Sequence, residues 1–416
     1  MKETIIKYIS IVGVCLYILA VFFNPSGPQW AEKSHDVSDI TMSNPINQVF
    51  YSFIFILVIF SVAPHYKKFF IWFNHEKYIL LFLLWCGITI IFAIDPFVSF
   101  KRYFQYILTS LVFISFYLNI KDEQSLIKIL KYLFSLYVIL TLIVCLIIPE
   151  AKDPSFNSWR GFHATKNNLG QYAGISIIFF SYLHLINKTK LEKIYNLFFL
   201  VLSFLLLIGS FSMTNIVLIT LFIAFFIVIN SKKIFEPLRL SQKFFFLMVV
   251  FFVLMFLSII LVNPELFSLF FEITGKDPTL TGRTEIWALV LSQSINDLIT
   301  GVGFQSFWIP EKLSKIILFQ YWMPNQSHNG YVDMILEIGI VGLLLFIFLV
   351  YSIFKGMNFR SSGLWISIII FVLLLNFSES TLIRPHHFTN VMFYCAFWTL
   401  SFRKYHRNFT RYDLGN

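Results

Sequence analysis

Charge is what this chain has least of. Only 13% of its 416 residues are Asp, Glu, Lys or Arg, against 57% hydrophobic, whereas charged residues make up about a quarter of an ordinary soluble domain. With a mean hydropathy of +0.75, the chain reads as an all-α integral membrane protein. Cysteine is scarce too. Cys15, Cys86, Cys145 and Cys395 lie in or beside apolar runs, far from CxxC or Cys/His spacing, and imply neither a zinc site nor a disulfide framework. The GxxxxGK[ST], HExxH and GxSxG signatures are missing, as is an aspartate-rich phosphate–metal motif. An ATP-driven or metal-dependent enzyme is thereby disfavoured, and no cofactor is expected. No repeat of 20–50 residues and no low-complexity linker interrupts the sequence, so residues 1–416 read as a single polytopic domain.

What the chain has is apolar length. A membrane-spanning helix needs about 20 mostly apolar residues, and such runs begin near Ile5, Gln48, Tyr78, Tyr103, Ile129, Gln171, Ile194, Thr214, Phe244, Tyr331, Gly363 and Phe388, which predicts about twelve transmembrane helices. The first run resembles a signal peptide, but Ser26 and Gly27 sit among prolines without a small-x-small cleavage pattern, so it counts as a span. The 52 phenylalanines suit lipid-facing surfaces and interfacial belts and signal no cofactor.

The net charge of +10 is no nucleic-acid footprint, because the cations fall mostly in short loops between apolar spans. Counted over the two ends and alternate loops, one side collects Lys2, Lys67, Lys121, Lys188, Lys232, Lys355, Arg403 and their neighbours, roughly two-thirds of all lysines and arginines. The positive-inside rule puts that side and both termini in the cytoplasm, as an even number of spans also requires.

The chemistry gathers on the opposite face. A large periplasmic loop, 263–328, is expected between the ninth and tenth spans. Within it, Trp287, Val290, Leu291, Ile295 and Leu298 recur at helical spacing, predicting an amphipathic helix on the bilayer surface. A turn at Gly301 and Gly303 then leads to an aromatic-rich segment that also suits the interface.

Arg102, Arg160 and Arg283 are outer-face cations that a topology signal would have placed on the other side. A guanidinium offers a planar fork of donors suited to phosphate oxygens, so arginines beside a lipid-lined cavity suit a lipid-borne pyrophosphate. The plainer alternative is snorkelling to headgroups or pairing with an acid such as Glu285. His328 stands at the mouth of a span, with Ser327 or Asn329 able to cap the first turn. Its imidazole could take a proton from an attacking hydroxyl, although a lone histidine is more often structural. Asp333 and Glu337, four apart, share a helix face that must meet protein or a polar cavity rather than lipid. Lys166 and Asn167 can donate to phosphate or sugar from a helix start, or simply form a polar cap beside His163 and Asn168. Glu379, Arg384, His386 and His387 form another outer-face cluster. Adjacent histidines suggest a metal, but they project in different directions without a spaced third ligand, so the non-metal reading is favoured.

Taken in order, these phrases resemble the O-antigen ligase and O-antigen/exopolysaccharide polymerase superfamily of bacterial envelope glycosyltransferases. They are Arg160-Gly-Phe-His-Ala-Thr-Lys-Asn-Asn-Leu-Gly before a span, then Thr281-Gly-Arg-Thr-Glu-Ile-Trp and Gly301-Val-Gly-Phe-Gln-Ser-Phe-Trp in a long loop, then Ser327-His-Asn-Gly-Tyr-Val-Asp-Met-Ile-Leu-Glu-Ile-Gly opening the next span. The resemblance covers mainly Arg160 to Gly342. It implies metal-independent transfer of a glycan from undecaprenyl pyrophosphate to a hydroxyl acceptor on the periplasmic face of the bacterial inner membrane. By the same resemblance, Arg160 and Arg283 match pyrophosphate-binding arginines and His328 matches the histidine that assists the acceptor. One departure stands out: the turn Gly209-Ser-Phe-Ser-Met-Thr-Asn lacks the Ser-Arg or Ser-Lys pair of many relatives, so the donor site must be completed otherwise. A ligase would use lipid A core as acceptor and a polymerase a second lipid-linked repeat; the loop phrases look more like the exopolysaccharide polymerases. A lipid-linked glycan flippase is the alternative of another class, but it would tend to show two similar halves and mid-membrane binding residues. Here the polar residues gather at one face.

Overall fold

The computed structural model describes residues 2–31, 44–153, 157–230, 283–292, 294–309, 326–355 and 362–412. Helices account for nearly all of it: α1 (Lys2–Phe23), α2 (Pro45–Val62), α3 (Tyr66–His75), α4 (Lys77–Ile88), α5 (Pro96–Asn119), α6 (Glu123–Ile147), α7 (Lys166–Ile186), α8 (Lys190–Ser210), α9 (Met213–Asn230), α10 (Arg283–Ser292), α11 (Gly330–Phe354), α12 (Gly363–Leu375) and α13 (Phe388–Tyr412). The protein is an all-α, multi-pass membrane protein. Among the described residues six helical stretches are long and apolar enough to cross a bilayer, 3–23, 45–75, 123–147, 166–186, 190–210 and 330–354, with shorter apolar helices at 77–92, 213–223 and 363–375. The predicted start at Phe244 lies outside the described residues. Each of the other predicted starts falls within a helix.

Helix boundaries follow from capping chemistry. Asp95 accepts hydrogen bonds from the Phe97 and Val98 amides, both at 3.0 Å, with Pro96 at the first helical position. This Asp-Pro start places α5 a full two turns ahead of the apolar run from Tyr103. Asp122 caps α6 through the Gln124 and Ser125 amides, Thr165 caps α7 and Thr189 caps α8. Each supplies an acceptor for amides that no preceding turn can satisfy.

Helix α1 packs on α2, α5 and α6; α7 and α8 form a hairpin; α4 lies against α11, and α13 against α12 and α5. Their seams carry buried hydroxyls as well as apolar side chains: Tyr17 to Thr109 at 2.5 Å, Tyr117 to Thr399 at 2.7 Å, and Ser61 to Ser115 at 2.6 Å. In a bilayer such interhelical bonds contribute only about 0.6 kcal/mol each on average, so close packing carries most of the association.

Helix α11 breaks at Gly339, whose φ of 73° and ψ of 177° belong to a region open essentially to glycine alone. A break inside an apolar span exposes backbone groups that must find partners. They find them in the segment 298–303 and in α4. The carbonyls of Leu336 and Glu337 accept the Val302 and Gly303 amides, each at 3.0 Å, and that of Ile338 accepts Trp85 Nε1 at 2.8 Å. The Ile340 amide donates to the Leu298 carbonyl at 2.8 Å. The segment 298–303 is therefore built into the bundle rather than laid on it.

Helix α10 follows the same rule. Its expected place was the bilayer surface, yet Ile286 and Val290 are buried against Val302, Phe307, Trp308 and Leu336, so protein already covers that apolar face. Among the described residues, the large apolar side chains Ile295 and Ile299 beyond its end are exposed.

Candidate functional site

The mouth of α11 is held by a compact turn. Asn329 caps the helix, its side-chain oxygen accepting the Tyr331 amide at 3.0 Å and the Val332 amide at 3.3 Å. Before it, His328 takes a left-handed conformation with φ 55°, uncommon for a residue with a Cβ, and the surrounding bonds hold it there. The Ser327 amide donates to Asp333 Oδ1 at 3.1 Å, and the Ser327 carbonyl accepts Trp287 Nε1 at 2.7 Å. Asp333 Oδ1 also accepts Trp308 Nε1 at 3.1 Å. Two tryptophans of the insert thus pin the turn from either side. The His328 ring stays 30% exposed.

The face shared by Asp333 and Glu337 meets an arginine. Arg384 Nη2 lies 3.0 Å from Asp333 Oδ2 and 3.4 Å from Glu337 Oε1, and both carboxylates are fully buried. Burial works to lower the Arg384 pKa, but Glu337 and Asp333 outweigh it and leave it raised, so the guanidinium stays charged. Losing one member of such a buried pair costs about 3–5 kcal/mol, because the other charge is left uncompensated. Arg102 joins the network from α5 by donating to the Gln305 carbonyl, while the Gln305 side chain donates to the carbonyl of Ile383. Arg102 is half-buried and anchors the insert instead of snorkelling outward.

The segment 376–387 completes the cluster. Asn376 organises it, taking the Thr381 and Leu382 amides on its side-chain oxygen at 3.0 and 3.1 Å and the Gly330 amide on its carbonyl at 2.8 Å. A Cβ on Gly330 would stand 2.1 Å from Asn376 Oδ1, which explains the glycine in Asn329-Gly330. This segment presents Glu379 to His328, with Oε2 3.8 Å from Nδ1. Asn167, near the start of α7, donates to the other Glu379 oxygen at 2.8 Å. Its own carbonyl groups are taken by Ser212 and Asn215, at 3.1 and 3.2 Å. The turn that lacks a cation is therefore spent on fixing Asn167, which in turn fixes Glu379.

His328, Asn167, Glu337 and Arg102 are thus brought into one connected cluster. Lys166 opens α7 beside it and is half-buried. Arg160 lies at the same end, in a loop tied to the start of the chain by Trp30 Nε1 to the Gly161 carbonyl at 2.7 Å, but its Nε donates to the Glu150 carbonyl at 2.9 Å. Arg283 is the first residue of α10; its side chain lies outside the described residues. The histidines diverge, as their adjacency suggested. His386 stacks on Tyr51 at 3.6 Å, whereas His387 Nδ1 meets Thr389 at 3.1 Å. Burial lowers the pKa of His163 and His386 to about 3 and that of His387 to about 4. Reading the sequence missed the separate roles of Glu379 and Arg384 and the part of Asn376; the first two were visible only as a polar cluster between apolar spans.

Residues 198–347 match the O-antigen ligase family. This agrees with the superfamily that its motifs resemble. The matched span holds the insert, His328, Asp333 and Glu337, while Arg102, Arg160, Asn167, Glu379 and Arg384 complete the cluster from outside it. Exopolysaccharide production protein ExoQ of Rhizobium meliloti is 30% identical over 87 residues, 20% of this chain and 20% of that protein. A Rickettsia typhi protein named for polysaccharide ligation is 27% identical over 312 residues, 70% of this chain and 72% of its own length. A similarly named Rickettsia felis protein is 34% identical over 89 residues, covering 20% of this chain and 22% of its own.

Proposed function

We propose that this O-antigen ligase-type protein is a glycosyltransferase of the bacterial inner membrane, moving a glycan from an undecaprenyl-pyrophosphate donor to a hydroxyl acceptor at the periplasmic face. The preferred reaction is polymerisation of exopolysaccharide or O-antigen repeats. The observation that carries the reading is His328, partly exposed at the mouth of α11 with a carboxylate behind its Nδ1. The acceptor oxygen attacks the anomeric carbon, the bond from that carbon to the pyrophosphate oxygen breaks, and the acceptor proton passes to Nε2 of His328. Glu379, 3.8 Å from Nδ1, is too far for a good hydrogen bond but close enough to stabilise the imidazolium that forms. Arg160, Arg283 and Lys166 are the groups assigned to the leaving pyrophosphate, with no metal required. A ligase using lipid A core is the second reading, favoured by the Rickettsia typhi relative's name and its match over 70% of this chain.

The test is transfer by purified protein from a lipid-linked repeat. A positioned general base contributes on the order of 10²–10⁴-fold. His328→Gln should therefore bind donor normally yet transfer at least about 10²-fold more slowly, with no rescue by more acceptor. Near wild-type transfer by His328→Gln would remove the base, and a wild-type rate abolished by EDTA would remove the metal-free scheme. In a deletion strain, one repeat still attached to core indicates a polymerase, and polymer left on the lipid carrier indicates a ligase.

A further inference from the structure

At the end of the bundle opposite His328, three elements border an open cavity of about 190 Å³. Its walls are His75, Glu76, Lys77 and Tyr78 from the α3–α4 junction, Ser352 and Lys355 from the end of α11, and Lys404 and Tyr405 from α13. Helix α11 links the two ends, and its 25 residues, broken at Gly339, are long and apolar enough to cross a bilayer.

We propose that this cavity binds a phosphate group, presented by the headgroup of an anionic membrane lipid. Three lysines and a histidine converge there against one acid, Glu76. Glu76 is already engaged, accepting the Ser401 hydroxyl at 2.8 Å, and that hydroxyl in turn accepts Trp72 Nε1 at 2.8 Å. Lys404 is held in the wall by the Ser352 carbonyl at 2.5 Å, which fixes its position without neutralising its charge. Lys77 and Lys355 are exposed at the rim, Lys77 with its Nζ 5.7 Å from the centre of the Tyr78 ring. Lysines at one end of a bundle also act as topology signals, but a topology signal does not require them to converge on a cavity.

The surface below the rim fits the rest of a lipid. Tyr78 and Phe348 stack at 6.2 Å, and Leu81 and Leu84 of α4 with Leu344, Ile347 and Tyr351 of α11 are exposed. Since α4 and α11 pack side by side, these residues provide an apolar lane leading away from the cavity, suited to acyl chains. Basic pockets between spanning helices are a recurrent way of holding acidic headgroups. A free phosphate ion would use the same cations without the lane.

Native mass spectrometry on the full-length protein in a neutral detergent can separate these sources. Phosphatidylglycerol, phosphatidylcholine with the same chains, and inorganic phosphate would be titrated into wild type and into the double variant Lys77→Gln/Lys355→Gln. Each lysine near an acidic lipid is worth about fivefold in affinity, so the double variant should bind phosphatidylglycerol about 30-fold more weakly and phosphatidylcholine unchanged. A loss confined to inorganic phosphate would support the phosphate site but overturn the lipid source. Equal binding of the two lipids to wild type, with no effect of the variant on any ligand, would overturn the site itself. Both substituted residues are exposed, and thermal unfolding in phosphatidylcholine checks that the fold is kept.

Discussion

Replacing Gly339 with alanine tests whether the break in α11 is what joins the insert to the bundle. The residue sits at φ 73° and ψ 177°, where a side chain costs about 1–3 kcal/mol in backbone strain alone. A Cβ there would stand 2.1 Å from the Ile299 carbonyl oxygen and 2.5 Å from its carbon. Both are backbone atoms, so no side-chain rotation relieves the overlap. Moving the 298–303 segment away would weaken the bonds it makes with α11, among them the Val302 and Gly303 amides on the carbonyls of Leu336 and Glu337. At about 1 kcal/mol for each of one or two lost bonds, the total comes to about 2–5 kcal/mol. Gly13 in α1 supplies the control, because nothing lies within 4 Å of its Cβ position and alanine in a helix is favoured by up to about 1 kcal/mol. Both variants would be unfolded by denaturant in mixed micelles at matched protein level. Gly339→Ala should lose stability and transfer together while Gly13→Ala stays at or above wild type. Equal stability of the two variants would refute the reasoning, since it would mean that the segment is not held against the break.

The buried histidines predict a pH dependence. His163, His386 and His387 have folded pKa values of about 3, 3 and 4, below the ordinary value near 6.5, so the unfolded chain binds more protons throughout that window. Their stability is complete above about pH 6.5 and falls as pH drops toward the folded values, by at most about 1.4 kcal/mol per pH unit for each histidine; unfolding midpoints that stay flat from pH 7 to 5 would contradict the burial. Topology is checked by reporter fusions. Those after Gly170 and Pro310 are expected to report the periplasm and those after Lys193 and Arg407 the cytoplasm, and a cytoplasmic Pro310 would end the proposed mechanism.

The helices were legible in the sequence because a span is written in consecutive apolar residues and its ends in Asp, Asn and Thr. Asp95, Asp122 and Thr165 cap α5, α6 and α7, and the spacing of Asp333 and Glu337 correctly put them on one face. What that face meets was not legible. Arg384 lies 51 residues beyond Asp333, and no local pattern announces a contact made across an intervening helix. The same holds for Asn167, which reads as a helix-start donor for a ligand but proves to be engaged by Glu379, Ser212 and Asn215. The break at Gly339 was hidden for a different reason: the apolar run continues through it, and hydropathy does not register backbone direction.

Two fully buried carboxylates on a membrane helix are costly to keep, and two leucines there would pack without that cost. The arrangement around Asp333 suggests why they are retained. One of its oxygens gathers the Ser327 amide and Trp308 Nε1, and the other meets Arg384, so a single carboxylate ties together the turn bearing His328, the insert and the segment bearing Glu379. An apolar side chain could fill that volume but could not set three backbones in register, because dispersion contacts carry no direction. Glu337, one turn further along, shares the guanidinium, and Arg102 reaches the insert through the Gln305 carbonyl. The charge network thus offsets its burial by fixing the distance between His328 and Glu379, the spacing on which the proposed proton transfer depends.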